Sequence, residues 1–316
     1  MPSVFLTVDT EFAWRHHVDG LPVAEIHRRS IEPADVGVAY QLARMAEYGL
    51  KGCFFVDPMP AVTYGVDAVR RFVAPILEAG QEVQLHLHPN WAAARPGDRG
   101  EVEVRFELCD YIEAEQRALI SQAAELLVAA GAPEPVAFRA GSYAADDRTL
   151  AALAELGFAY DSSHNGAFHP WPCKTSFDRR RIAPVEQGVM EVPVTVIEDA
   201  PENLRTAQIC ALSAGEMRAM LEHAVAEDHA AVTIVSHSFE LAARGGLKAN
   251  RVHVRRFDAL CAILAERRDV LPTTHFRDRP ALPLDRDDRP LGPSAFRRRW
   301  RQAEQLWSNL VEERAA

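Results

Sequence analysis

Two pairs of residues in this chain have the types and the spacing of metal ligands. Asp9 and Glu11 stand two positions apart, and so do His86 and His88. In extended backbone, side chains two residues apart point to the same face, so each pair can direct both side chains at one point. Two imidazoles with one or two carboxylates suit a divalent transition metal such as zinc and leave positions open for water. A lone His-x-His is more often an ordinary core or surface pair, but the carboxylate pair favours a metal site.

Three further polar residues stand at the ends of apolar, strand-like runs. An unpaired guanidinium at Arg139 would be costly after such a run, so we expect it to orient a catalytic carboxylate or to form a structural salt bridge. Asp161 is either a partner of Arg139 or His237, or the cap of a helix or a turn. His237 follows a buried-type strand, where it is either a satisfied core residue or a general acid or base, a task that its pKa suits.

Strand-like and helix-like runs alternate along the chain. We predict strands at 4–8, 52–56, 82–87, 136–139, 158–160, 191–197, 232–236 and 270–273. We predict helices at 37–48, 68–79, 114–130, 147–156, 214–227 and 252–267, several of which are closed by glycine: Gly49, Gly80, Gly131 and Gly157. This alternation predicts parallel βαβ units, and seven or eight of them favour a distorted β/α barrel of the α/β class. Barrel active sites lie at the carboxyl ends of the strands, where the polar residues above fall.

Taken in order, these segments resemble the motifs of the polysaccharide deacetylase family, also called the NodB-homology or carbohydrate esterase family 4 group. The resemblance covers about residues 3–275. The five matching segments are TVDTE (7–11), EVQLHLHP (82–89), FRAG (138–141), YDSS (160–163) and IVSH (234–237). The first motif usually has adjacent aspartates, the second usually reads H-x-x-x-H, and the third usually has proline where Gly141 stands. The chain therefore resembles an atypical branch of the family.

The resemblance implies a role for each matching residue. Asp9 is the catalytic base and Glu11 a metal ligand, with the reverse assignment as the alternative; His86 and His88 are metal ligands as well. Arg139 orients the base, His237 is the general acid, Asp161 belongs to the fourth motif, and a backbone N–H near Tyr143 stabilises the oxyanion. The implied cofactor is one divalent metal ion, zinc first, with cobalt, nickel or manganese as alternatives.

The implied reaction is hydrolysis of an amide, with acetate or formate and a free amino sugar as products. One alternative is an amidohydrolase of the same fold that acts on a non-sugar amide or ureide. Another is a non-catalytic binding protein built on the same barrel. Trp14 and Trp91 follow the first and second motifs, where we expect them to bind a sugar ring, with loop packing as the alternative.

Composition narrows the class of partner. Lys and Arg number 35 and Asp and Glu 45, which gives a formal net charge of −10 and argues against nucleic-acid binding. The five cysteines include no C-x-x-C pair, so we expect reduced thiols. No signal peptide or apolar run of membrane-spanning length is found, so we expect a cytoplasmic protein. Its substrate would then be a small-molecule or lipid-linked N-acyl sugar of a biosynthetic pathway.

The end of the chain differs from the rest in composition. We predict a barrel at 1–277, a linker rich in Asp, Arg and Pro at 278–293, and a C-terminal amphipathic helix within 294–316. Five residues fall on one helical face: Phe296, Trp300, Ala303, Trp307 and Leu310. This helix either packs on the barrel or binds a partner or an anionic membrane surface. The sequence does not indicate an oligomeric state.

Overall fold

A curled sheet of eight strands forms the centre of the molecule. The computed structural model describes residues 1–101, 103–284 and 286–313. The strands of the sheet are β1 (Ser3–Thr10), β2 (Gly52–Val56), β3 (Glu82–Leu87), β4 (Ala137–Ala140), β5 (Tyr160–Asp161), β6 (Val185–Gln187), β7 (Val189–Glu191) and β10 (Ala231–His237). Their order is β10-β1-β2-β3-β4-β5-β7-β6, and every neighbouring pair is parallel except β6 and β7.

The outer edge of β10 is covered by a less regular segment. Strands β8 (Val196–Ala200) and β9 (Asn203–Thr206) pair as an antiparallel hairpin. The residues just before and after this hairpin bond to β10: Thr195 N–H donates to Thr233 O at 3.1 Å, and Val235 N–H donates to Ala207 O at 2.9 Å. The prediction of an α/β, distorted β/α barrel is confirmed, with this hairpin beside the eight main strands.

Helices cover the outside of the sheet. They are α1 (Trp14–Val18), α2 (Val23–Ser30), α3 (Val38–Tyr48), α4 (Ala61–Tyr64), α5 (Val66–Glu78), α6 (Glu113–Ala129), α7 (Asp147–Glu155), α8 (Ala214–Ala226), α9 (Arg251–Glu266) and α10 (Ala295–Trp307). The four glycines predicted to close helices all have positive φ, a conformation that glycine adopts without a steric penalty. The sequence pattern did not predict the short helices α1 and α2, which follow the first motif.

Two predicted strands differ from the structure, and both contain proline. The predicted strand at 270–273 is wrong, because Thr273 makes only an isolated bridge to Val4. Pro272 lies within that run and has no N–H for a strand ladder. The predicted strand at 191–197 is divided, since β7 ends at Glu191 and β8 begins at Val196, with Pro193 between them.

The chain end forms a helix as predicted, but with an unexpected orientation. Helix α10 continues as a π-helical turn at Ser308–Glu312, and the predicted residues Arg314, Ala315 and Ala316 lie outside the described residues. Arg301 is buried, whereas Phe296 and Trp307 are exposed. The polar side of the helix therefore contacts the barrel. The division at 277 and 293 stays a prediction.

Membrane-spanning helices and the state of the cysteines are the two features that relate to the predicted cellular location. Within the described ranges, no helix is both long enough and apolar enough to cross a membrane. The five cysteines are free thiols, and four of them are buried. The cytoplasmic location stays a prediction.

Candidate active site

Arg139 lies at the centre of the site and is completely buried. Its Nη1 donates to Asp9 Oδ1 at 2.7 Å and to Thr7 Oγ1 at 2.8 Å. Its Nε donates to the carbonyl oxygen of Ser162, and its Nη2 donates to the hydroxyl of Ser162, each at 3.0 Å. The guanidinium also stacks 4.3 Å from the ring centre of Phe55. These contacts fix the conformation of the Arg139 side chain. Arg139 in turn holds Oδ1 of Asp9, and Oδ2 is left to face the rest of the site.

Glu11, His86 and His88 come together beside Asp9, although Glu11 follows β1 and the histidines lie at the end of β3, which is not adjacent to β1 in the sheet. Their ligand atoms all lie within 4.8 Å of one another. Glu11 Oε2 lies 2.5 Å from His88 Nε2 and 3.6 Å from His86 Nε2. Two imidazoles and one carboxylate form a donor set that suits zinc and similar divalent ions.

Two local contacts orient the histidines. His86 Nδ1 lies 2.8 Å from the carbonyl oxygen of Arg139. A carbonyl only accepts, so Nδ1 carries the proton and Nε2 presents a lone pair to the site. A Cβ at Gly141 would lie 2.5 Å from the His88 ring, which explains why the third motif has glycine there.

The charges of this group balance one another. Burial favours neutral Glu11, but the positive charge of His88 and the hydrogen bond that His88 donates hold the pKa of Glu11 well below its usual value. Burial also opposes a charge on His88, yet Glu11 raises the pKa of His88 to about 9. A divalent cation bound at the same atoms would replace the proton on His88 as the partner of Glu11.

His237 approaches Asp9 from the other side. Its Nε2 lies 3.9 Å from Asp9 Oδ2, and its Nδ1 lies 3.3 Å from Glu240 Oε2. Burial lowers the pKa of His237, but the hydrogen bond and the charge of Glu240 raise it to about 9. Burial raises the pKa of Glu240, but the contact with His237 lowers it to about 2. The imidazole is therefore held as a cation with Nε2–H directed towards the site.

Glu240 is itself fixed by two donors, and the sequence motifs give no sign of it. Its Oε1 accepts from Gln208 Nε2 at 3.0 Å and from Cys210 N–H at 2.8 Å. Glu240 lies three residues after His237, in the turn that follows β10. The carboxylate that orients the histidine thus comes from the same loop, a possibility that only the spacing to Glu240 could have suggested.

Asp57 is a second residue that the motifs do not indicate. It follows β2, next to the strand of Asp9, and its Oδ2 has no hydrogen-bond partner among the described residues. Burial raises the pKa of Asp57 to about 7, although His88 and His86 act in the opposite direction. Asp57 therefore lies on the metal-ligand side of the site, and its position after a strand was the available signal.

Asp161 does not contact Arg139 or His237. Its Oδ1 accepts from Ser163 Oγ at 2.6 Å, and it lies against Glu191 in the interior. Burial raises the pKa of both carboxyls, and that of Glu191 lies well above its usual value. Of the two roles predicted for Asp161, the structure does not show the partnership with Arg139 or His237, whose partners are Ser162 and Glu240. The contact with Ser163 fits the alternative, the cap of a turn.

The aromatic residues differ in access. Trp91 is 1% exposed and packs edge-on against Trp14, with ring centres 4.9 Å apart. It is therefore placed to support Trp14, which is half-buried and also packs against His17 and Phe106. Tyr143 is buried and has a φ of 59° after Ser142 with a φ of 54°. Two successive left-handed residues turn the backbone sharply after the third motif, as occurs at sites where the backbone contacts a ligand.

Comparisons with known proteins agree on the fold. No protein-family model matches the chain, and no curated protein matches it in sequence. A Mycobacterium smegmatis protein assigned as a polysaccharide deacetylase is 19% identical, with a TM-score of 0.54, over 90% of this chain and 94% of that one. A Pseudomonas aeruginosa protein with the same assignment is 13% identical, with a TM-score of 0.52 and coverage of 87% and 88%.

An allantoinase, PuuE, has the same architecture. It is 14% identical, with a TM-score of 0.53, and the match covers 87% of this chain and 88% of that one. The chain therefore has the NodB-like fold of the polysaccharide deacetylases, which the allantoinase shares. Identities this low establish the fold alone, so the chemistry of this chain has to be argued from its own residues.

Proposed function

We propose that the protein is a metal-dependent hydrolase that removes an N-acyl group, acetyl or formyl, from an amino sugar or a sugar-containing biosynthetic intermediate. The observation that carries this proposal is the meeting of three groups of residues at one end of the sheet. They are the metal-ligand group Glu11, His86 and His88, the Asp9–Arg139 pair and the His237–Glu240 pair.

Glu11, His86 and His88 would hold one divalent metal ion. The donor types fit zinc, with cobalt, nickel or manganese as alternatives, and the fixed tautomer of His86 favours binding through Nε2. When bound, such an ion lowers the pKa of water and polarises an amide carbonyl.

Asp9 acts as the general base. Arg139 holds Oδ1, so Oδ2 is the oxygen that receives the proton from the attacking water. The same contact keeps Asp9 from turning away, because Arg139 is fixed by Thr7 and Ser162. Water adds to the carbonyl carbon, and the C–N bond then breaks to leave a carboxylic acid and an amine.

His237 acts as the general acid. Glu240 accepts from Nδ1, so the proton on Nε2 is free to pass to the leaving nitrogen. With a pKa of about 9, His237 carries this proton at neutral pH. An amine leaves far more readily once it is protonated, which makes this acid more important for an amide than for an ester.

Substrate binding would involve the rim of the site. Trp14, which is partly exposed, is the side chain that we assign to stacking on a sugar ring, with Trp91 behind it. We assign the backbone N–H of Tyr143 as the oxyanion donor, a contact worth roughly 3–4 kcal/mol in enzymes of this kind. We propose a sugar substrate and no nucleic-acid partner. A small sugar and a lipid-linked sugar would present the same N-acyl group to the site.

The shared fold of the allantoinase supports a second candidate, hydrolysis of a non-sugar amide or ureide. Its base, acid and metal ligands would be the same residues, so a substrate panel separates the two. The third possibility, a non-catalytic binding protein, would bind metal without turnover.

The first test is metal content with a matched set of variants. Wild type supplied with zinc or cobalt should hold about one ion per chain, and His86→Ala/His88→Ala should hold none. Asp9→Asn should keep the ion and lose release of acetate or formate from N-acyl sugars, which separates the ligands from the base. Wild type that binds no ion under these conditions would exclude the proposed mechanism.

A further inference from the structure

Helix α10 is amphipathic, but its apolar side faces solvent and its polar side faces the barrel. A surface helix normally buries its apolar stripe and exposes its polar side. Here Phe296 is 80% exposed, Trp300 59% and Trp307 57%, and Leu306 and Leu310 are also exposed. These side chains form one outward surface, which we call the outer face.

Buried polar contacts hold the helix in this orientation. Arg301 is 5% exposed; its Nη2 donates to Asp199 and its Nε donates to Glu216 Oε1 at 3.1 Å. Near the end of the chain, Asn250 Nδ2 donates to the buried Ser308 Oγ at 2.8 Å. Rotating the helix to bury its apolar side would leave the charge of Arg301 without these partners, at a large cost. The outer face is therefore a stable feature of the fold.

The helix lies at the catalytic end of the sheet. It contacts Glu216 in the first turn of α8 and Asn250 at the start of α9. Helices α8 and α9 precede and follow β10, and each runs antiparallel to it, so both begin at the end of the sheet where His237 lies. The outer face and the candidate active site therefore belong to the same end of the molecule.

The charge of the first turns of α10 differs from that of the whole chain. Residues 294–303 contain four arginines and no acidic residue, whereas the formal net charge of the chain is −10. Beyond the buried Arg301, these are Arg297, Arg298 and Arg299. Arg255 of α9 lines a groove together with Trp300 and Trp307, and Glu304 in the same groove is paired with Arg256. Tryptophan beside arginine is the composition of helices that lie in the interface of an anionic bilayer.

We propose that the outer face of α10 docks on an anionic lipid surface. Trp300, Trp307 and Phe296 enter the headgroup region, and Arg297, Arg298 and Arg299 contact lipid phosphates. This arrangement turns the catalytic end towards the membrane, where a lipid-linked substrate would be found. Membrane binding itself does not depend on the proposed hydrolysis, so the two proposals can fail separately.

The test is co-sedimentation of the full chain with phosphatidylcholine vesicles, with or without phosphatidylglycerol. Wild type should bind only the anionic vesicles and should dissociate as salt is raised. Trp300→Gln/Trp307→Gln should weaken binding roughly a hundredfold, and Arg297→Gln/Arg298→Gln/Arg299→Gln at least about tenfold. Val128→Gln, on an exposed position of α6, is the matched control and should bind as wild type does.

Three results would overturn the proposal. Wild type could fail to bind anionic vesicles at low salt, or the tryptophan variant could bind as well as wild type. Alternatively, size-exclusion chromatography with light scattering could show an oligomer that the tryptophan variant dissociates, in which case a second copy of the chain covers the outer face. Thermal unfolding of each variant checks that the fold, held by Arg301 and Ser308, is retained.

Discussion

Arg139 and Arg301 are both buried and both pair with carboxylates, yet they serve different parts of the molecule. Arg139 lies inside the sheet and holds Asp9, whose second oxygen faces the site. Arg301 lies under α10, and both of its partners, Asp199 and Glu216, are buried as well. A buried ion pair alone therefore does not identify a functional residue. The distinguishing feature is whether the carboxylate keeps an oxygen directed at the other ionisable groups of a site, as Asp9 Oδ2 is directed at His237.

The largest expected effect is the difference in catalytic activity between substitutions of Arg139 and of Arg301. Arg139→Met leaves Asp9 without its orienting partner, so we expect kcat/KM for an N-acyl substrate to fall by roughly a thousandfold. Arg301→Met leaves the site residues untouched and should change kcat/KM by less than about threefold. Steady-state kinetics on the two purified variants measures this difference. Equal losses in both would remove the distinction drawn above.

The two variants should resemble each other in stability. Each substitution leaves a buried carboxylate without its cation, which typically costs about 3–5 kcal/mol. Urea unfolding should show a reduced free energy of unfolding for both proteins, with Arg139→Lys and Arg301→Lys intermediate. If Arg301→Met were as stable as wild type, the contacts under α10 would not be what holds the helix.

The pair of His237 and Glu240 provides a third test through pH. Glu240 raises the pKa of His237 to about 9, so in wild type the acid loses its proton, and activity falls, only as the pH rises towards that value. In Glu240→Gln the negative charge is gone and the pKa of His237 falls. The alkaline limb of kcat should then move to lower pH by roughly one to two pH units.

This outcome separates positioning from mere packing. Gln retains a carbonyl that can accept from Gln208 and from Cys210 N–H, so the loop should keep its shape. A purely structural role for Glu240 would lower kcat equally at every pH and leave the limb in place.

Features that depend on residues close together in the sequence could be predicted here, and features that depend on residues far apart in the sequence could not. The strand-end positions of Asp9, His86, Arg139 and His237 follow from local patterns and the rule that polar residues after parallel strands share one edge. The partners that complete the site come from tertiary contacts that no local pattern specifies. They include Ser162 in place of Asp161, and Gln208 and Cys210, which fix the carboxylate of Glu240 beside His237. The same holds for α10, since periodicity predicts a helix with an apolar face but not which face meets the barrel.

The smallest expected effect concerns Trp14 and Trp91, which again compare a residue of the site with a residue that supports the fold. Trp91 is buried and Trp14 lies over it at the surface. Trp14→Ala should raise KM for an N-acyl sugar by about fivefold, since loss of a stacking face costs about 1 kcal/mol, and should leave kcat nearly unchanged. Trp91→Ala should instead lower the free energy of unfolding by about 3–5 kcal/mol, because it opens a cavity in the core. If Trp14→Ala left KM unchanged, the sugar ring would have to bind elsewhere on the rim.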